Sequence, residues 1–269
     1  MCKKKKLFLF VIEGAEREKD YFRNFSSVFF NGKNEVITVY VPAEMNVYML
    51  YGVLKKDNFE TDIVEVIKEN IPEAEGILHN YARDSFAEIY LFFDFDEHAN
   101  NLKEKENVDA LREMLMLFDN ETELGKLYIS YPMVEALRDH VGDSCGIVSG
   151  GCCRNRNSFS DYKEDSSKNP SNNNVGKYDY PKWMSIIRNY VYRMSCLFSK
   201  KRLEHDDFLS TNNPLSIFNK QMVAYKLSDN IFVLSCFPEF LIDYSKKYWD
   251  ESVSKRKRPI LKKDCINKP

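Results

Sequence analysis

Four short apolar segments recur through the first half of the chain, separated by polar stretches. Residues 7–12 are continuously apolar, a pattern typical of a strand that is buried on both faces of a parallel sheet. Residues 35–41 and 88–93 are rich in β-branched or aromatic side chains, and residues 126–130 form a shorter segment of the same kind. We therefore predict four β-strands in this half of the chain.

Segments with apolar residues at helical spacing separate or follow these strands. Residues 15–27, 59–70 and 107–119 each place apolar side chains three or four positions apart, with charged residues between them. A further helix, which begins after Pro132, carries Glu135. This alternation predicts an α/β fold: a mainly parallel sheet flanked by helices.

The polarity of the chain changes after residues 1–140, which we assign to the α/β domain. Residues 141–180 are rich in Ser, Asn, Gly and charged residues, which predicts a flexible loop or insertion. Residues 181–269 are expected to form a mainly helical C-terminal region. Helical spacing is found in three segments there: residues 181–199, 213–225 and 230–248. The IFVLSCF segment in the last of these also fits a strand.

Composition supports a folded protein without identifying a partner. The chain has 269 residues, of which 43% are hydrophobic and 14% aromatic, enough for a core and unlike a disordered segment. The net charge is only −2, but lysine and arginine cluster at both ends, in residues 3–6 and 255–258. Such basic runs can contact phosphates, or they can simply be solvated ends that keep the protein in solution.

Cysteine usage and hydropathy bear on the compartment. Seven cysteines are scattered along the chain, and the apolar run Leu7–Ile12 is too short for the hydrophobic region of a signal peptide. No segment approaches the roughly 18 apolar residues of a membrane helix. We therefore expect a cytoplasmic protein with free thiols and no membrane contact. Cys145, Cys152 and Cys153 lie near His140, but the paired spacing of a zinc site is missing.

Three acidic residues stand at predicted strand ends. Glu13 ends the first strand, and Asp94 and Asp96 follow the third. The carboxyl ends of parallel strands meet at one edge of a sheet, and residues two apart in an extended chain face the same side, so Phe95 should face the core. Mg²⁺ prefers oxygen ligands, and neighbouring carboxylates repel one another without a cation. The pattern predicts a metal site, although a strand-end Glu or an Asp-x-Asp turn also occurs without one.

The order of these motifs resembles the Toprim signature. Glu13 and Gly14 follow an apolar strand and precede a helix, and an Asp-x-Asp motif follows a later strand. The segment VIEGAEREKDYF is similar to the opening of the OLD-like and RloB-like branch of Toprim nucleases in phage defence, with Tyr21 one residue further along than in that pattern. A fold of the Toprim type over residues 1–140 is what this resemblance implies.

The segment SYPMVEAL, residues 130–137, resembles a third element of the same branch. On this match, Ser130, Pro132 and Glu135 occupy functional positions. The resemblance implies that Glu135 is a further metal ligand beside Glu13 and the two aspartates.

The activity that the resemblance implies is metal-dependent cleavage of DNA or RNA with Mg²⁺ or Mn²⁺. Asp94 and Asp96 would hold the metal, Glu13 would ligate it or act as general acid or base, and Glu135 would complete the catalytic set. The resemblance also implies an anti-phage effector that acts with a partner ATPase of the ABC or SMC type, with the helical C-terminal region as a docking surface. His98, which follows the Asp-x-Asp motif, could orient water, but an exposed histidine without a role is the simpler interpretation.

Other classes of protein account less well for these residues. Haloacid dehalogenases need Thr or Val where His98 stands, and that class leaves Glu13 unexplained. Glycosyltransferases also use an Asp-x-Asp motif, but no nucleotide-binding loop is found, and the GxxxxGK[ST] phosphate loop is missing. The main alternative is a non-catalytic nucleic-acid-binding or assembly protein with a degenerate Toprim site. In such a protein the basic ends would contact the nucleic acid. Four tyrosines of the second half would either stack on bases or pack inside the protein: Tyr178, Tyr180, Tyr190 and Tyr192.

Overall fold

The structure is a computed structural model. It describes residues 5–14, 16–32, 34–42, 45–95, 104–141, 151–199, 208 and 210–254. The chain divides into two compact units, residues 1–128 and residues 129–269. The candidate acids Glu13 and Asp94 lie in the first unit, and Glu135 lies in the second.

A mostly parallel sheet of five strands is formed by the described residues between Leu7 and Ser130. The strands are β1 (Leu7–Glu13), β2 (Glu35–Val41), β3 (Glu88–Asp94), β4 (Asp119–Asn120) and β5 (Gly125–Ser130). Their order is β2-β1-β3-β5-β4, with β1 parallel to both β2 and β3, and β4 antiparallel to β5. The predicted α/β class with a mainly parallel sheet is thereby confirmed.

The helices of the first unit lie between these strands along the chain. They are α1 (Arg17–Phe29), α2 (Val47–Lys55), α3 (Ile63–Asn70), α4 (Pro72–Leu78) and α5 (Glu104–Leu117). The Asn46 side chain accepts hydrogen bonds from two backbone N–H groups at the start of α2, and Asp62 does the same at α3. α1, α3 and α5 were predicted from their spacing, whereas α2 and α4 were not.

An aromatic core fixes the position of β1 relative to α1 and β3. Phe10 is fully buried, and its ring centroid lies 4.8 Å from that of Phe22 in α1 and 5.8 Å from that of Phe92 in β3. Leu9 and Val11 are also fully buried, so β1 is covered on both faces. The continuous apolar run in this strand is explained by that burial.

The second unit combines helices with a small antiparallel pair of strands. Its main elements are β6 (Cys153–Asn155), α6 (Tyr162–Asp165), α7 (Tyr180–Leu197), α8 (Pro214–Ser228), β7 (Asn230–Phe232), α9 (Cys236–Tyr244) and α10 (Lys246–Trp249). The ambiguous IFVLSCF segment is divided: its start belongs to β7, and α9 begins near its end, where Ser235 accepts a hydrogen bond from the Phe237 N–H. In the part of the chain that is described, no helix is long and apolar enough to cross a bilayer.

Residues 151–180 contain short helical turns held by buried polar side chains. Asn172 donates from Nδ2 to the carbonyl oxygens of Arg138 and His140, at 2.9 and 2.8 Å. Arg138 in turn donates from Nε to the Ser166 hydroxyl at 2.9 Å. These contacts tie the polar segment to residues 138–140. The other residues of the predicted loop, 142–150, lie outside the described residues.

His140 is buried beside positive charge. Only 4% of its surface is exposed. Burial, together with the charges of Lys182 and Arg193, lowers the pKa of the imidazole from 6.5 to about 3. The ring is therefore neutral in the folded protein at neutral pH.

This shift predicts a loss of stability in acid. Below pH 6.5 the unfolded chain protonates His140 while the folded protein does not, so the free energy of unfolding falls as the pH falls from about 6.5 towards 3. We expect this residue to account for a loss of about 2 kcal/mol between pH 7 and pH 5. The measurement is denaturant unfolding at both pH values, in the parent and in His140→Leu.

The His140→Leu variant should lose less stability between the two pH values, whatever its stability at pH 7. The matched control is His79→Leu, since His79 is exposed. An equal pH dependence in the parent and in His140→Leu would contradict the assignment.

Candidate functional site

Glu13 and Asp94 meet at the carboxyl edge of the sheet. They are the last residues of the adjacent parallel strands β1 and β3. The Oε2 atom of Glu13 accepts a hydrogen bond from the backbone N–H of Asp94 at 3.0 Å. Both residues are partly exposed to solvent. The structure thus brings the Glu13 carboxylate to the backbone of Asp94, and the catalytic roles of both residues stay predictions.

The residues that follow Asp94 are described only in part. Phe95 is 4% exposed, in agreement with the alternation that directs it towards the core. Asp96 and His98 lie outside the described residues, so the predicted convergence of Asp94 and Asp96 stays a prediction.

Gly14 makes the turn that follows Glu13. Its φ is +107°, a conformation that favours glycine, and its N–H donates to the Val41 carbonyl at 2.8 Å. A Cβ atom at this position would lie 2.2 to 2.4 Å from carboxyl and methylene atoms of Glu18. The Glu-Gly pair therefore depends on glycine for its backbone angle, and a side chain there would also have to displace the Glu18 carboxyl group.

Glu18 is an acid that the sequence analysis did not include in the site. It lies in the first turn of α1, where a negative charge interacts favourably with the helix dipole, and its carboxyl group covers Gly14. The signal in the sequence was an acidic residue one helical turn after the Glu-Gly pair. That signal did not show that the side chain folds back onto the glycine.

Glu135 lies in the second unit, and its surroundings differ from those expected. Residues Val134–Leu137 form a single 3₁₀ turn, so the prediction of a helix after Pro132 is wrong. One residue, Met133, separates this turn from the Tyr131-Pro132 peptide bond, which is cis. Glu135 is only 2% exposed. The Ser130 hydroxyl of the same motif donates to the Cys236 sulfur at 3.1 Å. The proposed metal-binding role of Glu135 stays a prediction from the resemblance.

The carboxylate pair has the chemistry of a magnesium site but only part of a full ligand set. Among the described residues, no group of three or more His, Cys, Asp or Glu side chains is arranged to hold a metal. Mg²⁺ is, however, commonly bound by one or two carboxylates, with water and substrate phosphate as the other ligands. Glu13 and Asp94 are both of this oxygen-donor type and end adjacent strands at the carboxyl edge of the sheet.

Comparison with known proteins does not place the chain in a family. No protein-family model, no curated protein and no solved structure matches it. The likeness to Toprim nucleases therefore rests on the short motifs of the sequence.

The geometry of Gly14 predicts a specific cost for adding one methyl group. Gly14→Ala should lower the free energy of unfolding by about 1–3 kcal/mol, because alanine is strained at this φ and meets the Glu18 carboxyl group. Chemical denaturation of the purified protein measures the change.

Substitutions at two other glycines distinguish the effect of backbone strain from that of contact with Glu18. Gly32 also has a positive φ, +74°, but has open space around it, so Gly32→Ala should show the strain alone. Gly52 lies in α2 with open space and no such φ, and Gly52→Ala should leave stability unchanged or raise it by up to about 1 kcal/mol. A Gly14→Ala effect no larger than that of Gly32→Ala would show that Glu18 does not crowd the glycine.

Proposed function

We propose that this chain is a metal-dependent nuclease of the Toprim type, which hydrolyses phosphodiester bonds of DNA or RNA. The observation that carries the proposal is the contact between Glu13 and Asp94 at the ends of β1 and β3. Two carboxylates at the carboxyl edge of a parallel sheet, where ligands of such folds bind, offer the oxygen donors that a Mg²⁺ ion takes. The motif order in the sequence supports the same class.

Under this proposal, Glu13 and Asp94 hold Mg²⁺ or Mn²⁺, and Asp96 and Glu135 are added as ligands on the resemblance alone. A cation bound there would neutralise charge on the scissile phosphate and lower the pKa of bound water. Glu13 is also the candidate general acid or base. It is the residue whose orientation the structure describes best.

The backbone of β3 orients the Glu13 carboxylate. The Asp94 N–H donates to Oε2, and a hydrogen bond to a charged acceptor is stronger than one between neutral groups. The carboxylate is thereby held in one position before any ligand binds, which reduces the entropy lost on binding. The buried aromatic contacts of Phe10 hold both strands in place behind it.

The biological setting that we propose is anti-phage defence. The resemblance to the OLD-like and RloB-like branch supports an effector that acts with a partner ATPase of the ABC or SMC type, docked on the helical second unit.

One observation favours a second function, binding of nucleic acid without cutting. Lysine and arginine cluster in residues 3–6 and 255–258, and such basic runs can contact phosphates. A binding or assembly protein would keep its affinity for nucleic acid when the acids are neutralised, and it would cut nothing under any metal condition.

The test is a cleavage assay with the purified protein. Plasmid, single-stranded DNA and tRNA are each incubated with Mg²⁺, Mn²⁺ or EDTA. We expect cutting with a divalent cation and none in EDTA. Glu13→Gln and Asp94→Asn should each lower the rate at least about 100-fold, because bound metal contributes several kcal/mol to the transition state and 1.4 kcal/mol is a factor of ten.

The matched control is Glu88→Gln. Glu88 lies on the same strand as Asp94 but at its amino end, where it pairs with Lys6 at 3.1 Å. This variant should cut at the parent rate. Equal cutting by Glu13→Gln, Asp94→Asn and the parent would overturn the mechanism.

A further inference from the structure

A groove of about 450 Å³ lies between α1 and β2. β2 is the outermost strand on its side of the sheet order. The groove is lined by aromatic and polar side chains and one arginine, which come from both elements and from the turn between them; they include Phe22, Arg23, Phe30, Thr38 and Tyr40. The function proposed above does not use these residues.

The chemistry of the groove combines rings with hydrogen-bonding and positive groups. Phe22 and Phe30 are almost fully buried and form an apolar base, while Tyr40 is half-buried and presents a phenol ring. The Lys19 ammonium lies 5.5 Å from the centroid of the Tyr40 ring, so positive charge is found beside that ring. Hydroxyl and amide groups of serine, asparagine and threonine line the remaining wall.

The ion pair of Arg23 leaves its charge accessible. Its guanidinium lies 3.2 Å from the Asp20 carboxylate, and the side chains of the two residues are 76% and 67% exposed. Exposed pairs of this kind contribute little to stability. Arg23 can therefore turn to a phosphate at small cost, and its charge already lowers the pKa of Tyr40 against the larger rise caused by burial.

The Tyr40 end of the groove lies at the carboxyl edge of the sheet. In the parallel register of β1 and β2, Tyr40 is opposite Ile12, and the next pair is Val41 with Glu13. A chain molecule that lies along β2 with one end at Tyr40 thus reaches the carboxyl edge of the sheet, where Glu13 contacts Asp94.

We propose that this groove binds an unpaired stretch of nucleic acid and directs it to the acid pair, so that the preferred substrate is single-stranded. This inference rests on the proposed function for the cutting step. The preference for single-stranded over duplex substrate rests on the groove. The groove has the volume of a small-molecule pocket, about 450 Å³, and admits a nucleotide. A base can lie against the Tyr40 ring only when it is unstacked from a duplex. Proteins commonly hold single strands with positive charge and aromatic rings, since every base has a face that stacks. This groove offers Arg23 and the half-buried ring of Tyr40 for such contacts.

The test measures binding in EDTA, where the metal-dependent reaction is off. Fluorescence anisotropy follows the full chain with a labelled DNA or RNA strand of about 12 nucleotides, and with a hairpin duplex of the same sequence. The parent should bind the single strands at least tenfold more tightly than the hairpin. Arg23→Glu should weaken single-strand binding about tenfold, and Arg23→Gln should lower the salt dependence by about one ion.

Two controls separate the groove from general effects of charge and folding. Arg112→Glu is matched, because Arg112 also pairs with an aspartate three residues earlier, Asp109, at 2.9 Å, and does not line the groove. It should keep the parent affinity. Tyr40→Phe keeps the ring and should also bind normally, whereas Tyr40→Leu should weaken binding about tenfold.

The outcomes distinguish this inference from the proposed nuclease. Glu13→Gln should bind single strands like the parent. If no protein cuts nucleic acid but Arg23-dependent binding is found, the nuclease proposal is contradicted and the groove inference is supported. Equal affinity in Arg23→Glu, Arg112→Glu and the parent would overturn the groove even if the acids are needed for cutting. Tighter binding of the hairpin than of the single strands would also contradict the inference. So would an Arg23→Glu variant whose oligomeric mass changes while its affinity for single strands does not. That second result would assign this edge of the sheet to a protein partner.

Discussion

The parallel pairing of β1 with β3 is the constraint on which the candidate site depends. It runs from Phe8 opposite Glu88 to Ile12 opposite Phe92, and it places the next residue of β1, Glu13, within hydrogen-bonding distance of the Asp94 backbone. A shift of one residue would turn every side chain of the strand to the opposite face, so that the rings of Phe8 and Phe10 would meet the space now filled by Leu9 and Val11. The packing of Phe10 against Phe22 and Phe92 opposes such a shift, because these rings fill the space between the sheet and α1.

β2 brings the Tyr40 end of the groove to the same edge of the sheet as Glu13 and Asp94. β2 pairs with β1 on the side opposite β3, so its Tyr40 and Val41 end at the same edge as Glu13. Gly14 closes that edge, since its N–H bonds to Val41 and its missing side chain leaves room for Glu18. One turn of chain therefore connects the proposed catalytic acid to the helix that lines the groove.

The sequence predicted the parts of the fold that depend on long or continuous patterns. β1 and α1 were predicted correctly. Burial on both faces of a strand requires a continuous apolar run, and burial of one face of a helix requires apolar residues three or four positions apart, so both patterns are visible in the sequence. The proximity of Glu13 and Asp94 followed from the general rule for strand ends. The short helices α2 and α4 were not predicted, and the expected helix at Glu135 is a 3₁₀ turn, since a few residues give too little periodicity to decide between such forms.

Other features depend on three-dimensional neighbours that no local pattern records. The order of strands, which leaves β2 outermost and creates the groove, is a property of the whole sheet. Likewise, Asn172 lies in a stretch whose polar composition predicted a loop, yet it is buried because the carbonyl groups of Arg138 and His140 accept its hydrogen bonds. The contact of Glu18 with Gly14 belongs to the same class of feature.

The central claim is that Glu13 and Asp94 together bind a divalent cation. Titration of the protein with Mn²⁺, followed by electron paramagnetic resonance of the free ion, tests it without any substrate. The account predicts that the double variant Glu13→Gln/Asp94→Asn binds Mn²⁺ at least about tenfold more weakly than the parent, while Glu88→Gln binds it equally well. Equal Mn²⁺ affinity in the parent and the double variant would contradict the claim.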